Sequence, residues 1–483
     1  MPGVMIQGTA SSAGKSLMCA ALCRIFSNDG WDTAPFKSQN MSLNSYATSE
    51  GLEMGRAQVL QAIASRVEPS VNMNPILLKP TSDRKSQVII NGKPYKDMDA
   101  REYFDFKPKL KEMISEIYGN LNDKFDFIVI EGAGSPAEIN LLENDIVNMG
   151  MAVIADASVL LVADIDKGGV FASIYGTIML LSEEHRNRIK GIIINKFRGD
   201  KELLKPGIEM IEALVKIPVI GIVPYMDINL DEEDGACDFN FKKKGSVKVS
   251  VIKLPRISNF TDFDGFKLEE DVSLNFIKSP EEIENSDMLI IPGSKNTIED
   301  LRWLKKSGFE ETLKNFKGIV FGICGGYQIM GKSITDQEGI EVNKGEKEEA
   351  LGIFETETIF EGEKITVNVN GHALGCKVYG YELHSGRTFG NRNPFVEIEL
   401  GREKYMDGEI RNNFYGTYLH GIFDSNEFRN LMLNKIRKDK NLPEKEGRDL
   451  NKNREAELEK LAFMVRENID MKYIYKLLGK KHD

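Results

Sequence analysis

Residues 4–16 read VMIQGTASSAGKS, and the fold is decided by this stretch. Val4 to Gln7 has the apolar, compact character of a buried strand, and Lys15 to Ser27 is patterned as a helix. Between them lies Gly8-Thr-Ala-Ser-Ser-Ala-Gly14-Lys15-Ser16. A glycine-bounded loop that leaves a strand and opens a helix is the setting of a phosphate-binding loop. Its backbone N–H groups converge on phosphate oxygens, and the helix N-terminus adds partial positive charge. Gly8 and Gly14 shape the loop, Lys15 is placed to reach the terminal phosphates of ATP, and Ser16 is placed to hold magnesium.

Working outward, the same alternation of strand and helix continues. Strands are expected over Phe127 to Ile130, Val159 to Ala163, Gly191 to Asn195 and Val219 to Val223, with helices between several of them, among them Tyr103 to Tyr118 and Lys201 to Val215. This predicts an α/β domain whose parallel sheet is covered on both faces. The pattern stops near Tyr225, where MDINLDEEDGACDFNFKKKG is polar and aperiodic. A second α/β alternation runs through Val247 to Leu254, Met288 to Ile291 and Gly318 to Ile323. Short strand-like pieces fill Leu351 to Leu400, and Glu455 to Leu478 has helical character. The expected layout is a nucleotide-binding domain over 1–228, a linker over 229–246, a second α/β domain over 247–440 and a helical extension over 441–483. A chain of 483 residues exceeds one ordinary core.

Two strand ends and one further segment offer candidate residues for the cleft beside the loop. In DFIVIEGAGSPAEINL an apolar strand closes on Glu131, and a carboxylate there, beside the loop, suits magnesium. Asp145, in NDIVNMG, is a possible active-site acid lining the same cleft, and a helix-capping Asp fits it equally. Asn195, in GIIINKFRGD, is placed to read a nucleotide base, and a turn-forming Asn fits it equally.

The second domain carries a different chemistry. Gly322-Ile-Cys324-Gly-Gly-Tyr-Gln-Ile-Met-Gly331 takes a strand through a small-residue turn into a helix, the layout of a nucleophile elbow with cysteine in the serine position. The helix N-terminus favours thiolate. His420, in GTYLHGIFD at the end of another apolar strand, is the candidate base, and His384, in GYELHSG, competes for that role. Backbone N–H groups of Gly293, in IPGSKNT, and Gly325 are the candidate oxyanion hole. The remaining cysteines form neither a disulfide framework nor a metal pattern, and Cys19 and Cys23, four apart, read as one buried helix face.

Composition narrows the classes. The content is 41% hydrophobic and 28% charged, with a net charge of -11. An acidic surface of this size argues against a nucleic-acid partner. No apolar run is long enough to span a membrane, and the N-terminus has no signal-peptide layout, so a cytoplasmic enzyme is expected. A partitioning or septum-positioning ATPase switch is the non-enzymatic alternative. Those proteins carry a lysine early in the loop, where this chain has Thr9-Ala10-Ser11. The terminal MKYIYKLLGKK superficially matches their membrane helices, but reads better as a packing helix.

With these motifs assembled, the chain resembles the cobyric acid synthase family along nearly its whole length. QGTASSAGKS, with five residues between its glycines, belongs to the wider dethiobiotin-synthetase-like ATPases, and GICGGYQ to class I glutaminase domains. FKSQNMSLNS together with LPRISNFTDFD is specific to this branch. MNPILLKP, DIVNMGMA, VADIDKGGVFAS, PGSKNTIEDL and GYELHSGRT extend the match. The resemblance implies an N-terminal P-loop domain followed by a class I glutamine amidotransferase domain. It implies a corrinoid substrate, ATP and glutamine, with magnesium and no tightly bound organic cofactor. The b, d, e and g carboxylates of adenosylcobyrinic acid a,c-diamide would be amidated, each consuming one ATP and one glutamine. It also implies Cys324 as nucleophile and His420 as its base. Class I enzymes usually carry an acid two residues after the histidine. Here that residue is Ile422, with Asp424 further on, which leaves the third member unassigned. Cobyrinic acid a,c-diamide synthase, which shares both chemistries, is the related alternative. Lys37, Lys79 and Arg84 are possible corrinoid contacts or ordinary surface charges.

Overall fold

The computed structural model describes residues 3–82, 84–230 and 244–479. Residues 231–243 of the expected linker, with Cys237, lie outside the described residues. The chain divides into two compact units. One comprises Met1–Ser42, Met54–Ala236 and Arg454–Asp483, and the other Leu43–Glu53 and Cys237–Asn453. Two segments thus sit elsewhere than a linear division of the sequence places them: Leu43–Glu53 joins the second unit, and the tail from Arg454 joins the first.

The first unit is built on six parallel strands: β1 (Val4–Gly8), β2 (Thr33–Phe36), β3 (Phe127–Glu131), β4 (Ser158–Asp164), β5 (Ile189–Phe197) and β6 (Val219–Pro224). Their order is β6-β5-β4-β1-β3-β2. Every residue of β1, β2 and β3 is buried, as expected of parallel strands covered on both faces. The chain leaves β1 into the glycine loop and then α1 (Lys15–Asn28). Because β1 lies between β4 and β3, the loop emerges where the strand order reverses, the usual ligand crevice of such sheets.

Local chemistry explains where the elements depart from expectation. The helix anticipated over Tyr103 to Tyr118 is two helices, Ala100–Phe106 and Lys111–Asn122, joined by a 3-10 turn over Lys107–Leu110. Pro108 has no N–H to donate and disfavours helical backbone at the residue before it. A four-stranded sheet of Gln39–Met41, Ile76–Pro80, Lys85–Ile90 and Lys93–Asp99 was not anticipated. Its last hairpin turns on Asn91-Gly92, both with positive φ (48° and 77°), a recognisable hairpin dipeptide.

The C-terminal tail forms α4 (Leu450–Arg466) and a further helix, Met471–Leu477, broken where Ile469 bridges Gly221. Ile222 N–H donates to Asn468 O at 3.1 Å, and Asp470 N–H to Ile220 O at 2.7 Å. These bonds cover part of edge strand β6, a common protection against unwanted strand pairing. Met471, Ile474, Tyr475 and Leu478 are buried in the first core, with Tyr475 against Phe26. The terminal segment is therefore a packing helix. No helix among the described residues is long and apolar enough to cross a membrane.

The second unit holds a second α/β sheet: β7 (Val247–Ile252), β8 (Val272–Ile277), β9 (Met288–Ile291), β10 (Ile319–Ile323), β13 (Glu409–Arg411) and β14 (Phe414–Thr417), ordered β8-β7-β9-β10-β14-β13 and parallel except for β13. The long antiparallel hairpin β11 (Glu357–Ala373) and β12 (Cys376–Phe389) belongs to a separate sheet. Strand β10 runs into α3 (Gly325–Met330) through Cys324.

Candidate functional site

The glycine loop is shaped for an anion. Gly14 takes φ 99°, and a Cβ there would come within 2.2 Å of Asn195 Nδ2, so only glycine fits. Gly8 begins the loop at the end of β1. Lys15 Nζ donates to the backbone oxygens of Ala10 (3.0 Å) and Gly134 (3.1 Å), folding back over the loop as phosphate-binding lysines do. Asn195 Nδ2 donates to Ala13 O at 2.9 Å, which places it alongside the loop. A cavity of about 250 Å³ opens here, lined by Gly14, Lys15 and Asn195 on the loop side and by Tyr225, Met226 and Leu461 among others. The C-terminal tail thus supplies one wall, a contribution that no local motif signals.

Glu131 is the hub of the same cleft. Its carboxylate is fully buried and accepts from Ser16 Oγ (2.7 Å), Lys37 Nζ (2.8 Å), Gln58 Nε2 (3.2 Å) and Gln61 Nε2 (2.5 Å). Lys37 neutralises it, as a buried carboxylate requires. Gln58 and Gln61 lie three residues apart on α2 (Arg56–Ala64) and so share a face. The Ser16 hydroxyl and the Glu131 carboxylate are hard oxygen donors within 2.7 Å, a donor set that fits magnesium. Lys37 and Lys79 are both buried, so neither is a solvated surface charge, whereas Arg84 is exposed. Asp145 spends both oxygens on its own turn: Oδ1 accepts from Val147 N (2.8 Å) and Asn148 N (3.0 Å), and Oδ2 from Gly150 N (2.8 Å). Those bonds hold the turn that leads into the helix Met149–Ile154, whose N-cap is Asn148.

In the second unit, Cys324 has φ 51° and ψ -107°, a strained backbone for a side chain that must stand clear of a sheet edge. A Cβ on Gly326 would lie 1.9 Å from Ile291 O, so the elbow turns this sharply only with glycine there. His420 is buried beside Cys324, near enough for the sulfur to act on the charge of the ring. Its Nδ1 lies 2.7 Å from Asp262 Oδ2, while Asp262 Oδ1 accepts from Gly421 N–H at 3.0 Å. Burial opposes charge on the ring, but the Asp262 carboxylate and the Cys324 sulfur together push the imidazole up to about 10. Gly293 pairs with Ser258 and lies against His420, and Gly325 lies against Ser294. His384 instead donates from Nδ1 to Gly386 O (2.8 Å) and stacks on Tyr418 at 3.7 Å.

The structure therefore brings Cys324 and His420 together and adds Asp262, which lies 158 residues from His420 in sequence. Nothing in LPRISNFTDFD singles out that acid, because the pairing is made by tertiary packing alone. Asp424, the nearer acid in sequence, is not the His420 Nδ1 partner. Gln58 and Gln61 were likewise illegible, since helical glutamines carry no signal of a buried partner.

Comparison with known proteins agrees with both halves. Residues 4–235 match the CobQ/CobB/MinD/ParA nucleotide binding domain, and residues 248–428 the CobB/CobQ-like glutamine amidotransferase domain. A cobyric acid synthase of Clostridium botulinum (strain Loch Maree / Type A3) is 54% identical over 494 residues, covering 100% of both chains. One from Clostridium tetani (strain Massachusetts / E88) is 53% identical over 99% of both. One from Clostridium kluyveri is 52% identical over 100% of this chain and 99% of its own. Identity at this level across the full length, over a nucleotide-binding domain and a glutamine amidotransferase domain, places the chain in the cobyric acid synthase family.

Proposed function

We propose that this enzyme converts the b, d, e and g carboxylates of adenosylcobyrinic acid a,c-diamide to amides, using ATP to activate each carboxylate and glutamine as the nitrogen source. The observation that carries the reading is the Cys324–His420–Asp262 array in the same chain as a P-loop whose Ser16 contacts Glu131.

A carboxylate is a poor acceptor for ammonia, because oxide would have to leave. Transfer of the γ-phosphoryl group of ATP to a carboxylate oxygen makes an acyl phosphate. Ammonia then attacks the acyl carbon and phosphate departs. Such transfers rest on positioning and charge stabilisation, which the loop N–H groups and Lys15 provide. Ser16 and Glu131 would hold magnesium, which when bound neutralises phosphate charge. Gly8 and Gly14 give the loop its path, and Asn195 holds it from the side. Asp145 is assigned to fixing its own turn.

Glutamine supplies the ammonia. Cys324 Sγ attacks the side-chain amide carbon, and the developing oxyanion is met by N–H groups of Gly325 and Gly293. Protonated His420 gives its proton to the departing nitrogen as the C–N bond breaks, leaving a thioester. His420 then takes a proton from water, which releases glutamate and restores the thiol. Asp262 fixes the ring tautomer and supports its charge.

Mass spectrometry of the product formed from the a,c-diamide with ATP and glutamine tests the reading. Four successive losses of roughly one dalton, each OH replaced by NH2, are expected. Two such losses from cobyrinic acid itself would assign the chain to a,c-diamide formation instead.

A further inference from the structure

Ile257–Ser258 and Gly293–Ser294 form a two-stranded antiparallel ribbon, with Ile257 opposite Ser294 and Ser258 opposite Gly293. The ribbon is seated against both the cysteine elbow and His420. A Cβ on Gly325 would lie 2.9 Å from Ser294 N and 3.1 Å from Thr297 Oγ1, and a Cβ on Gly293 would lie 2.9 Å from His420 Cε1. Where the ribbon sits therefore decides where the Gly293 N–H stands relative to Cys324. Two residues a side do not hold such a ribbon by themselves, since isolated two-stranded pairs are marginal in water.

One side chain clips the two strands together. Asp300, in the helix Thr297–Lys306, is fully buried. Its Oδ2 accepts from Ser294 Oγ at 2.7 Å and from Arg256 N–H at 3.2 Å, so a single oxygen ties one strand to the residue that leads into the other. Ser294 Oγ also accepts from Asn296 N–H at 3.0 Å, and Lys295 N–H donates to Arg256 O at 3.0 Å. The clip is anchored in a helix, not a loop: Asn296 Oδ1 caps it through Glu299 N–H at 3.0 Å, and Ile298, Leu301 and Leu304 bury it in the core of the unit. Burial pushes Asp300 up to about 6, opposed by the Ser294 hydroxyl, the Arg256 N–H and the Arg256 guanidinium 3.7 Å away, so at neutral pH it remains an acceptor. Packing alone would be served by an apolar side chain, without the cost of a buried carboxylate.

We propose that Asp300 is the positioning residue of the oxyanion hole, holding the Gly293 N–H where charge develops as Cys324 attacks the glutamine amide. Ser294 is the link through which it acts. The proposal rests on the Cys324 nucleophile and the Gly293 donor given above. Its signature is specific. A displaced donor weakens the tetrahedral state and leaves the ground-state complex nearly as it was, so kcat falls while KM holds.

The test uses the full-length enzyme and three readouts: glutamate release, inhibition by glutamate γ-semialdehyde, and alkylation of Cys324 by iodoacetamide, followed by mass spectrometry of the Cys324 peptide. The thiol adds across the aldehyde C=O, sulfur bonding to carbon as oxygen gains the proton, and the hemithioacetal oxygen takes the oxyanion position. Alkylation expels iodide and develops no charge on oxygen. Asp300→Ala is expected to lower kcat by at least about tenfold, with KM for glutamine changed less than about twofold. The Ki of the aldehyde should rise in the same proportion, and the alkylation rate should stay near that of the wild type. Asp300→Asn keeps an oxygen where both bonds fall and should recover most of the rate. Ser294→Ala removes one of the two bonds and should shift kcat and Ki together, by less than Asp300→Ala. A wild-type kcat in Asp300→Ala would overturn the proposal. So would a fall in kcat without a matching rise in Ki, or with an equal loss of Cys324 alkylation, since either marks a general disturbance of the unit. If Asp300→Ala does not fold, Ser294→Ala decides, and unchanged kcat and Ki there would be equally fatal. An aldehyde without effect on the wild type, or glutamate release surviving in Cys324→Ser, would instead strike the nucleophile and oxyanion assignments, and the proposal with them.

Discussion

His420 Nδ1 and Asp262 Oδ2 stand 2.7 Å apart with both side chains buried, and the second Asp262 oxygen is fixed by the backbone of Gly421. The carboxylate is thereby held at two points and can orient the ring but not follow it. Asp262→Asn keeps the shape and removes the charge. It also presents an amide that donates where an acceptor is needed, favouring the wrong imidazole tautomer. Glutamine hydrolysis should fall by roughly a hundredfold or more, with ammonia-dependent amidation retained. Steady-state glutamate release from the purified variant checks this, and a fall of less than about threefold would remove Asp262 from the array.

The same pair sets a pH dependence. The ring is pushed up to about 10 from an ordinary 6.5 by Asp262 and Cys324, against the effect of burial. A histidine raised in the folded state stabilises the fold fully below about 6.5 and ceases to do so as pH climbs through about 10. The unfolding free energy should therefore decline on the alkaline side through this group. In an NMR titration of the five histidines, the His420 Cε1 proton should stay unshifted between pH 6 and about 8.5, and a midpoint near 6.5 would contradict the charged ring.

Much of this was legible from local patterns. Gly8 to Ser16, Glu131 and Cys324 announce themselves because strand, turn and helix are contiguous in sequence, and their chemistry depends on that contiguity. Asp262, Gln58 and Gln61 depend on packing between residues far apart, and no period or motif marks them. The division of the chain shows the same limit. Composition located the change near Tyr225, but Leu43–Glu53 and the returning tail are placed by side-chain burial, such as Arg24 enclosed by Glu455 (2.9 Å) and Glu459 (3.1 Å). Arg24 itself looks like any helical arginine in the sequence.

At the nucleotide site, Lys15→Ala should lower amide formation by roughly a hundredfold or more with either nitrogen source, because both routes need the activated carboxylate. Glu131→Gln should act in the same direction and also weaken the dependence on magnesium. Product formation at graded magnesium, with ammonium salt as nitrogen donor, separates the two variants. Unchanged magnesium dependence in Glu131→Gln would reassign Glu131 to holding Lys37 and α2.

Cys324→Ser separates the two chemistries. The elbow backbone tolerates serine, since the strain at φ 51° belongs to the main chain and not to the sulfur. A serine hydroxyl lacks the acidity and nucleophilicity of the thiol, so glutamine hydrolysis and glutamine-dependent amidation should both be lost. His420→Ala should behave likewise, because the departing nitrogen then has no proton donor. His384→Ala need not lose hydrolysis, as that ring is committed to Gly386 and Tyr418. With ATP and concentrated ammonium salt at mildly alkaline pH, Cys324→Ser should still make product, since the Lys15 and Glu131 site is untouched. Loss of the ammonia reaction in a folded, ATP-binding Cys324→Ser protein would show that the two halves do not divide the work this way. Full glutamine-dependent activity in that variant would make Cys324 structural and require another nucleophile.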